Sequence, residues 1–330
     1  MATATARWRR FLRVDPVPRL ASCGNEAIAF FTRRDLLGED PGPVSSLWTL
    51  RAASRVLSRQ RPDGSFSYPG GKERLRSRAN YDQIETFRQL GAMVEKHGLD
   101  RGHPALARAA EFLFSFQAAE GDFRGIYGNQ HATTYAGAIL ELLVKAGYTR
   151  DPRVARAFRW LVSMRQGDGG WAIPVRTVGV PFPEFLDPLR HKDPVPPDRH
   201  QPSAHLVTGM VLRAFAAHPR WRCSPEARAG CRLLVRSLYR RDAYSDRGDP
   251  LYWERVSFPF WFTDVVSALD TLSRLGAGAE EPAIRAALGR VRRAQRADGT
   301  FGFILLRGKD PDLPLWICLS VCRSLARFLG

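Results

Sequence analysis

The heptapeptide QRADGTF at 295–301 repeats, almost letter for letter, the QRPDGSF at 60–66. Two variants lie between them, QAAEGDF at 117–123 and RQGDGGW at 165–171. Each copy ends a stretch with apolar residues at helical spacing. In DPRVARAFRWLVSMRQ, for example, Val154, Phe158, Leu161 and Val162 share one face. Each copy is followed by a loop and then a more uniformly apolar segment, such as HATTYAGAILELLVKAGY at 131–148 or WFTDVVSALDTLSRLG at 261–276. A one-sided helix suits an outer layer and an all-round apolar one an inner layer. Within the phrase, Asp or Glu followed by Gly makes a helix-ending turn, because glycine accepts positive φ. The aromatic two residues later can tuck back between helices, and the glutamine amide can bond free helix-terminal groups. The phrase is a staple between helical hairpins.

The spacing places hairpins over 24–60, 80–118, 131–166, 203–240 and 258–296, then a last apolar helix over 313–328. Six inner and at least five outer helices close a double-layered ring, an all-α toroid of the (α/α)6 type, with 24–330 as one domain. An open superhelix is the other arrangement such pairs allow. Residues 1–23 precede the domain as an extension, and TARWRRFLRV within them can supply a sixth outer helix. In a toroid the inner helices run parallel, so the outer-to-inner loops gather at one mouth. Those loops are the long ones, at 67–79, 124–130, 172–202, 241–257 and 302–312, whereas GYTRDP and RLGAGAEEP at the other rim are short. Long loops on one face of a rigid scaffold mark the working face. The longest, 172–202, holds eight prolines in 31 residues; stiff and aperiodic, it is either a lid over the mouth or a surface insertion.

With 44% hydrophobic and 25% charged residues, the composition is that of a folded globular protein. No apolar run approaches membrane-spanning length. The start, MATATARWRRFLRVDPVPRL, lacks the apolar core of a signal peptide, so a cytoplasmic location is expected. The five cysteines are too few and too irregular for a disulfide framework; Cys318 and Cys322, four apart in an apolar pattern, read as core residues or as a metal-binding pair. The formal charge is +17, but 45 of the 50 basic residues are arginines, scattered along helices such as RVARAFRW. That spread is what an arginine-rich composition gives and argues against a nucleic-acid partner.

The Q-x-x-D-G-x-[F/W] repeats resemble those of the prenyltransferase and squalene-cyclase repeat superfamily, over about 24–328. The stretch LYRRDAYSDRGDPLYWERVSFPFWFTDVVSALDTLSRLG is similar to a bacterial subgroup of that superfamily with no settled activity. The resemblance implies an α/α toroid and, as partner, an isoprenoid or other apolar small molecule in the central cavity. It does not carry over the chemistry. Class II cyclases place a D-x-D-D acid before an inner helix, and here Phe258, Pro259, Phe260 and Trp261 occupy that slot. A D-D-x-x-D magnesium site is missing from the sequence, as is the Asp-x-Cys of protein prenyltransferases. The CGNE at 23–26 lacks the glutamine of a thioester C-G-E-Q. The sequence names no cofactor.

At the expected mouth, the inner helices begin with Tyr81, Asp82 and Glu85, with His131 and Tyr135, with His200 and His205, and with Asp264. Such residues supply ligands for a divalent metal, an acid–base set, or simply helix caps. If the protein is an enzyme, Asp82, His131 and Asp264 are its candidate catalytic groups. Asp270, deeper in its helix, is placed to pair with an arginine. Phe260 and Trp261 at one inner-helix entrance, and Trp316 at the last, offer rings that can face an apolar or cationic ligand. With Tyr81, Glu85, Tyr135 and His205 they form the expected lining. No metal site is assigned. A toroid that binds another protein through its long-loop face, and one acting on carbohydrate, are the alternative functions.

Overall fold

The structure is a computed structural model that describes residues 7–70, 78–180, 193–244, 249–306 and 310–330, the side chains of 78–80 excepted. Its helices are α1 (Arg7–Phe11), α2 (Val17–Ala21), α3 (Glu26–Thr32), α4 (Arg51–Leu57), α5 (Arg78–His97), α6 (Pro104–Phe114), α7 (Thr133–Lys145), α8 (Pro152–Ser163), α9 (Pro174–Thr177), α10 (His205–Ala217), α11 (Pro225–Ser237), α12 (Val265–Arg274), α13 (Pro282–Ala294) and α14 (Leu313–Leu329). Taken around the circle, α3, α5, α7, α10, α12 and α14 each pack on the next, and α14 packs back on α3. Around this inner ring, α4 and α6 lie against α5, α8 against α7, α11 against α10, and α1 against α14. The chain is an all-α toroid, closed rather than superhelical.

The layers follow from the side chains. Every residue of α7 from Thr133 to Val144 is buried, as is every residue of α10 from Val207 to Ala216. These two helices approach so closely that a Cβ on Gly137 would stand 2.8 Å from the Val211 Cα. The outer helices bury one stripe only, for instance Val154, Ala157, Phe158, Trp160 and Leu161 of α8. Four of them, α6, α8, α11 and α13, open with proline, whose missing N–H costs nothing at that position.

The repeated phrase is a clasp between three elements. Its aromatic residue is buried in every copy: Phe66, Phe123, Trp171 and Phe301. The backbone N–H of Phe66 donates to Thr86 Oγ1 of the next inner helix (2.9 Å), and that of Trp171 to Thr208 Oγ1 (3.0 Å). The glutamine reaches across to the neighbouring outer helix. Gln60 Nε2 donates to the Ala105 carbonyl at 2.7 Å and Gln117 Nε2 to that of Arg153 at 2.9 Å. In the third copy the glutamine sits one place later, and Gln166 Nε2 donates to the Asp198 and Gln201 carbonyls. The acceptors are thus carbonyls in the first turn of a helix or in a loop, where free helix-terminal groups were expected.

The inner helices run in parallel. The segments before α12 and α14 pair as a two-residue parallel ladder, β1 (Arg255–Val256) with β2 (Ile304–Leu305), so those loops share one rim. The far ends of α5, α7, α12 and α14 meet at the opposite rim, where all four line one cavity. This short ladder is the element a purely helical reading omits.

Two expectations need correction. The first hairpin, 24–60, is not two long helices: α3 gives way to a π-turn at Arg33–Leu37, then a 3-10 turn at Val44–Thr49, before the short α4. The segment GEDPGP stops the helix, with Gly38 and Gly42 both at positive φ and Pro41 and Pro43 lacking donors. Loop 172–202 is not aperiodic throughout, since it begins with the short α9; its residues 181–192 lie outside the described residues, so the lid remains an expectation. Cys318 and Cys322 are both buried in α14, in the core.

Gly64 of the first phrase has φ +87°, and a Cβ there would stand 2.2 Å from the Arg108 carbonyl oxygen. Gly64→Ala combines a left-handed backbone with a clash against main chain, and we expect it to cost more than ~2 kcal/mol in urea unfolding. Gly128→Ala is the control: its φ is +59° but nothing lies within 4 Å, so about 1 kcal/mol is expected. Equal costs for the two would contradict the clasp.

Candidate ligand site

The segment Ser257–Trp261, which follows β1, dips into the ring and faces the middle of α5 and α7. Between them is a cavity of about 190 Å3, lined on its apolar side by Phe87, Ala138, Leu142, Phe258, Phe260 and Trp261. The rings support one another. Phe258 stacks on Trp316 with centroids 5.2 Å apart, while Phe87 meets Trp261 at 5.4 Å and Tyr135 at 5.9 Å. Trp316 and Tyr135 therefore brace the wall from behind. The Phe258–Pro259 peptide is cis.

The polar part of the lining is paired. Arg88 reaches Glu85 at 2.6 Å and lies over the Trp261 ring at 5.9 Å; Glu85 also accepts from Gln89 at 2.6 Å. Lys96 binds Asp310 at 2.5 Å and lies over Trp316 at 5.7 Å. Beneath, Glu141 accepts from Lys145 and Arg213, each at 2.7 Å, and Lys145 also reaches Glu95 at 2.5 Å. Burial alone would raise the Glu141 carboxyl, but the two cations outweigh it and hold it below its ordinary range. The cavity is thus aromatic on one side and ringed by charges that already have partners.

Of the residues expected to line the site, Phe260 and Trp261 do so, and Tyr135 and Trp316 pack behind them. Glu85 acts through Arg88 and Gln89. The others are not in the cavity lining, and each is held by its own partners. Asp82 pairs with Arg61 of the first phrase at 2.6 Å. Tyr81 packs its ring on Tyr68 at 4.9 Å. His131 Nδ1 lies 2.8 Å from Oδ2 of Asp122, a fully buried carboxylate that burial pushes upward in pKa against the pull of His131. His205 stacks on Trp253 and stands 3.4 Å from Asp242; burial lowers its pKa although Asp242 works the other way. His200 is exposed. The three candidate catalytic groups thus each hold a local partner: Asp82 with Arg61, His131 with Asp122, and Asp264 with Ser267. Among the described residues, no group of three or more His, Cys, Asp or Glu is arranged to hold a metal.

Asp264 is the N-cap of α12. Its Oδ1 accepts from the Ser267 N–H at 2.8 Å, and the Ser267 hydroxyl accepts from the Asp264 N–H at 2.9 Å, closing a capping box. Asp270, on the same helix, pairs with Arg274 at 2.9 Å and with Arg327, as its position suggested. The lining residues Arg88, Lys96, Asp310 and Glu141 were missed. They lie inside helices or a loop with no motif, and only folding brings them together.

No protein-family profile matches the chain, and no curated protein matches it. Among solved structures, the chain is similar to a variant of the type II terpene cyclase MstE from Scytonema in complex with its product merosterolic acid A. The identity is 15%, the TM-score 0.40, and the match covers 86% of this chain and 96% of that one. It is also similar to a glycosyl hydrolase of family 88 from Bacteroides vulgatus, at 12% identity and TM-score 0.43, over 86% and 87% of the two chains. A protein from Actinoplanes matches at 17% identity and TM-score 0.32, over 86% and 99%. The toroid rests on the closed ring of helices described above; these likenesses assign neither substrate nor reaction.

Burial lifts the Asp264 carboxyl to about 7, partly opposed by its hydrogen bonds from Ser267. A carboxyl raised in the folded state binds its proton more tightly than in the unfolded chain, so stability falls as pH rises from about 4 to about 7. Asp264→Asn keeps an N-cap acceptor but removes the titration. We expect its stability relative to wild type to grow through that window, by up to about 4 kcal/mol, and then level off. Parallel urea titrations at pH 4.5 and 8 check this.

Proposed function

We propose that the toroid binds a small apolar group, such as the end of an isoprenoid chain, in the cavity between α5, α7 and the 257–261 segment. The observation that carries this reading is the wall of Phe87, Phe258, Phe260 and Trp261 around an open space whose charges are already paired. A pocket walled by aromatic rings, with its charges paired, favours hydrocarbon over sugar. At about 190 Å3 the space is below the ~300 Å3 at which drug-sized pockets begin, so it suits one end of a longer molecule or a small one whole. Arg88 over Trp261 and Lys96 over Trp316 show that these rings already accept cations on their faces. No reaction is assigned: the acid that a class II cyclase places in this segment is replaced by apolar residues, and Asp82, His131 and Asp264 are each engaged by a local partner.

A second reading, a non-catalytic scaffold that presents its long-loop rim to another protein, is favoured by one observation. Trp316, Phe258, Trp261 and Tyr135 are buried mainly against each other, so much of the ring centre is filled.

Titration of the protein with farnesol, followed by tryptophan fluorescence, separates the two. Binding to the cavity predicts saturable quenching that weakens at least tenfold in Ala138→Leu, which fills the space from α7. Absent quenching, or quenching indifferent to that substitution, supports the scaffold.

A further inference from the structure

At the base of the ring, opposite the long loops, α5, α7, α12 and α14 line a second, open-mouthed cavity of about 620 Å3 with Phe31 of α3 in its wall. Its lining is dominated by charge, and the charges are grouped. Asp35, brought in by the π-turn after α3, accepts from Arg34 Nε at 2.7 Å and from Arg323 Nε at 2.8 Å. Behind the lining, Asp270 accepts from Arg274 Nε at 2.9 Å and also pairs with Arg327, and both of these arginines do line it. Each of these carboxylates is shared by two guanidinium groups, so each group of three keeps one positive charge in excess. Lys145, Glu95, Glu141 and Arg213 form a neutral set beside them. The carboxylates in the lining itself, among the described residues, are Asp35, Glu95 and Asp100, the last exposed at the rim.

Helix carbonyl ends converge here, and their dipoles explain why cations occupy the last turns. They do not explain the spacing on α14. Arg323 and Arg327 are four residues apart, which stacks the two positive groups on one helix face, where like charges repel. Burial, with Arg274 and Arg323 nearby, depresses the Arg327 pKa, consistent with that repulsion. Arg34 and Arg323 also lie over the Phe31 ring, at 4.8 and 5.1 Å, which fixes their planes. Among the described residues, Nη1 of Arg323 and of Arg327 and both terminal nitrogens of Arg274 have no hydrogen-bond acceptor. π-turns such as the one carrying Arg34 and Asp35 are concentrated at functional sites.

We propose that this basal cavity binds a compact multivalent oxyanion of the phosphate class, bridging the Arg34–Asp35–Arg323 and Arg274–Asp270–Arg327 groups. Guanidinium donors match the oxygens of such an anion, and its charge relieves the repulsion along α14. The basal cavity shares Glu95 with the aromatic one, but its arginines lie outside that lining, so the two readings are tested independently.

The test is calorimetric titration of the full chain with inorganic diphosphate at low ionic strength, alongside Arg323→Gln, Arg274→Gln and Asp35→Asn. The expected result is one saturable site, weakened at least tenfold by either arginine substitution. Asp35→Asn removes a negative charge from the site and is expected to bind at least as tightly as wild type. Circular dichroism identifies any variant that fails to fold, and the half-exposed Arg274 then provides the reading in place of Arg323. Absence of saturable binding overturns the proposal. So does unchanged affinity in the arginine variants, which marks diffuse binding to surface arginines, or weakened binding in Asp35→Asn, which marks ion pairs that are structural only.

Discussion

Closure of the ring, where α14 packs back on α3, is clasped by Gln295 of the last phrase. Its Oε1 accepts from the backbone N–H groups of Arg13 and Val14, at 2.8 and 3.2 Å, and its Nε2 donates to the Val14 carbonyl at 2.8 Å. The other copies join neighbouring hairpins; this one joins the two ends of the chain, nearly the full sequence apart. Arg292 donating to the Phe11 carbonyl at 2.6 Å and Arg19 pairing with Asp298 at 2.8 Å reinforce the same seam. A one-turn helix such as α1 has no stability alone. It is held because Trp8 and Leu12 are buried and because the bend that follows it, at Arg13 and Val14, satisfies Gln295.

Once closed, the ring has two unlike ends. Parallel inner helices point their N-termini and long loops to one rim and their carbonyl ends to the other. At the first rim the 257–261 segment can enter the centre because aromatic residues cover it from α5, α7 and α14. At the other rim the converging dipoles draw Lys145, Arg274, Arg323 and Arg327 inward, and these in turn hold the buried carboxylates ionised. Burial would raise Asp270, but Arg274 and Arg327 bring it far below its usual range. The same architecture thus forms an aromatic-walled cavity and an arginine-rich one, which meet at Glu95.

Much of this was legible from local pattern. Gly64 and the phrase around it report a turn whose chemistry is complete within seven residues, and the apolar faces of α7 and α8 declare their layers by period alone. The first hairpin was not legible, because FFTRRDLL carries helical spacing up to the glycines and prolines that break it. Phe260 and Trp261 stood out as an apolar cluster in the slot of a missing acid. Arg88, Lys96 and Asp310 did not, since nothing in an amphipathic helix marks which charge will face a cavity. His131 looked free because its partner, Asp122, lies in the second phrase. A signal was present: in QAAEGDF the residue before the aromatic is an acid, where the other copies carry Ser65, Gly170 and Thr300.

Hydrogen exchange on Gln295→Ala tests the closed ring most directly. If Gln295 is the seam, amides of α1, α3 and α14 lose protection together while α7 and α10, across the ring, keep theirs. Protection lost evenly over all helices, or lost nowhere, would contradict a ring closed at that residue.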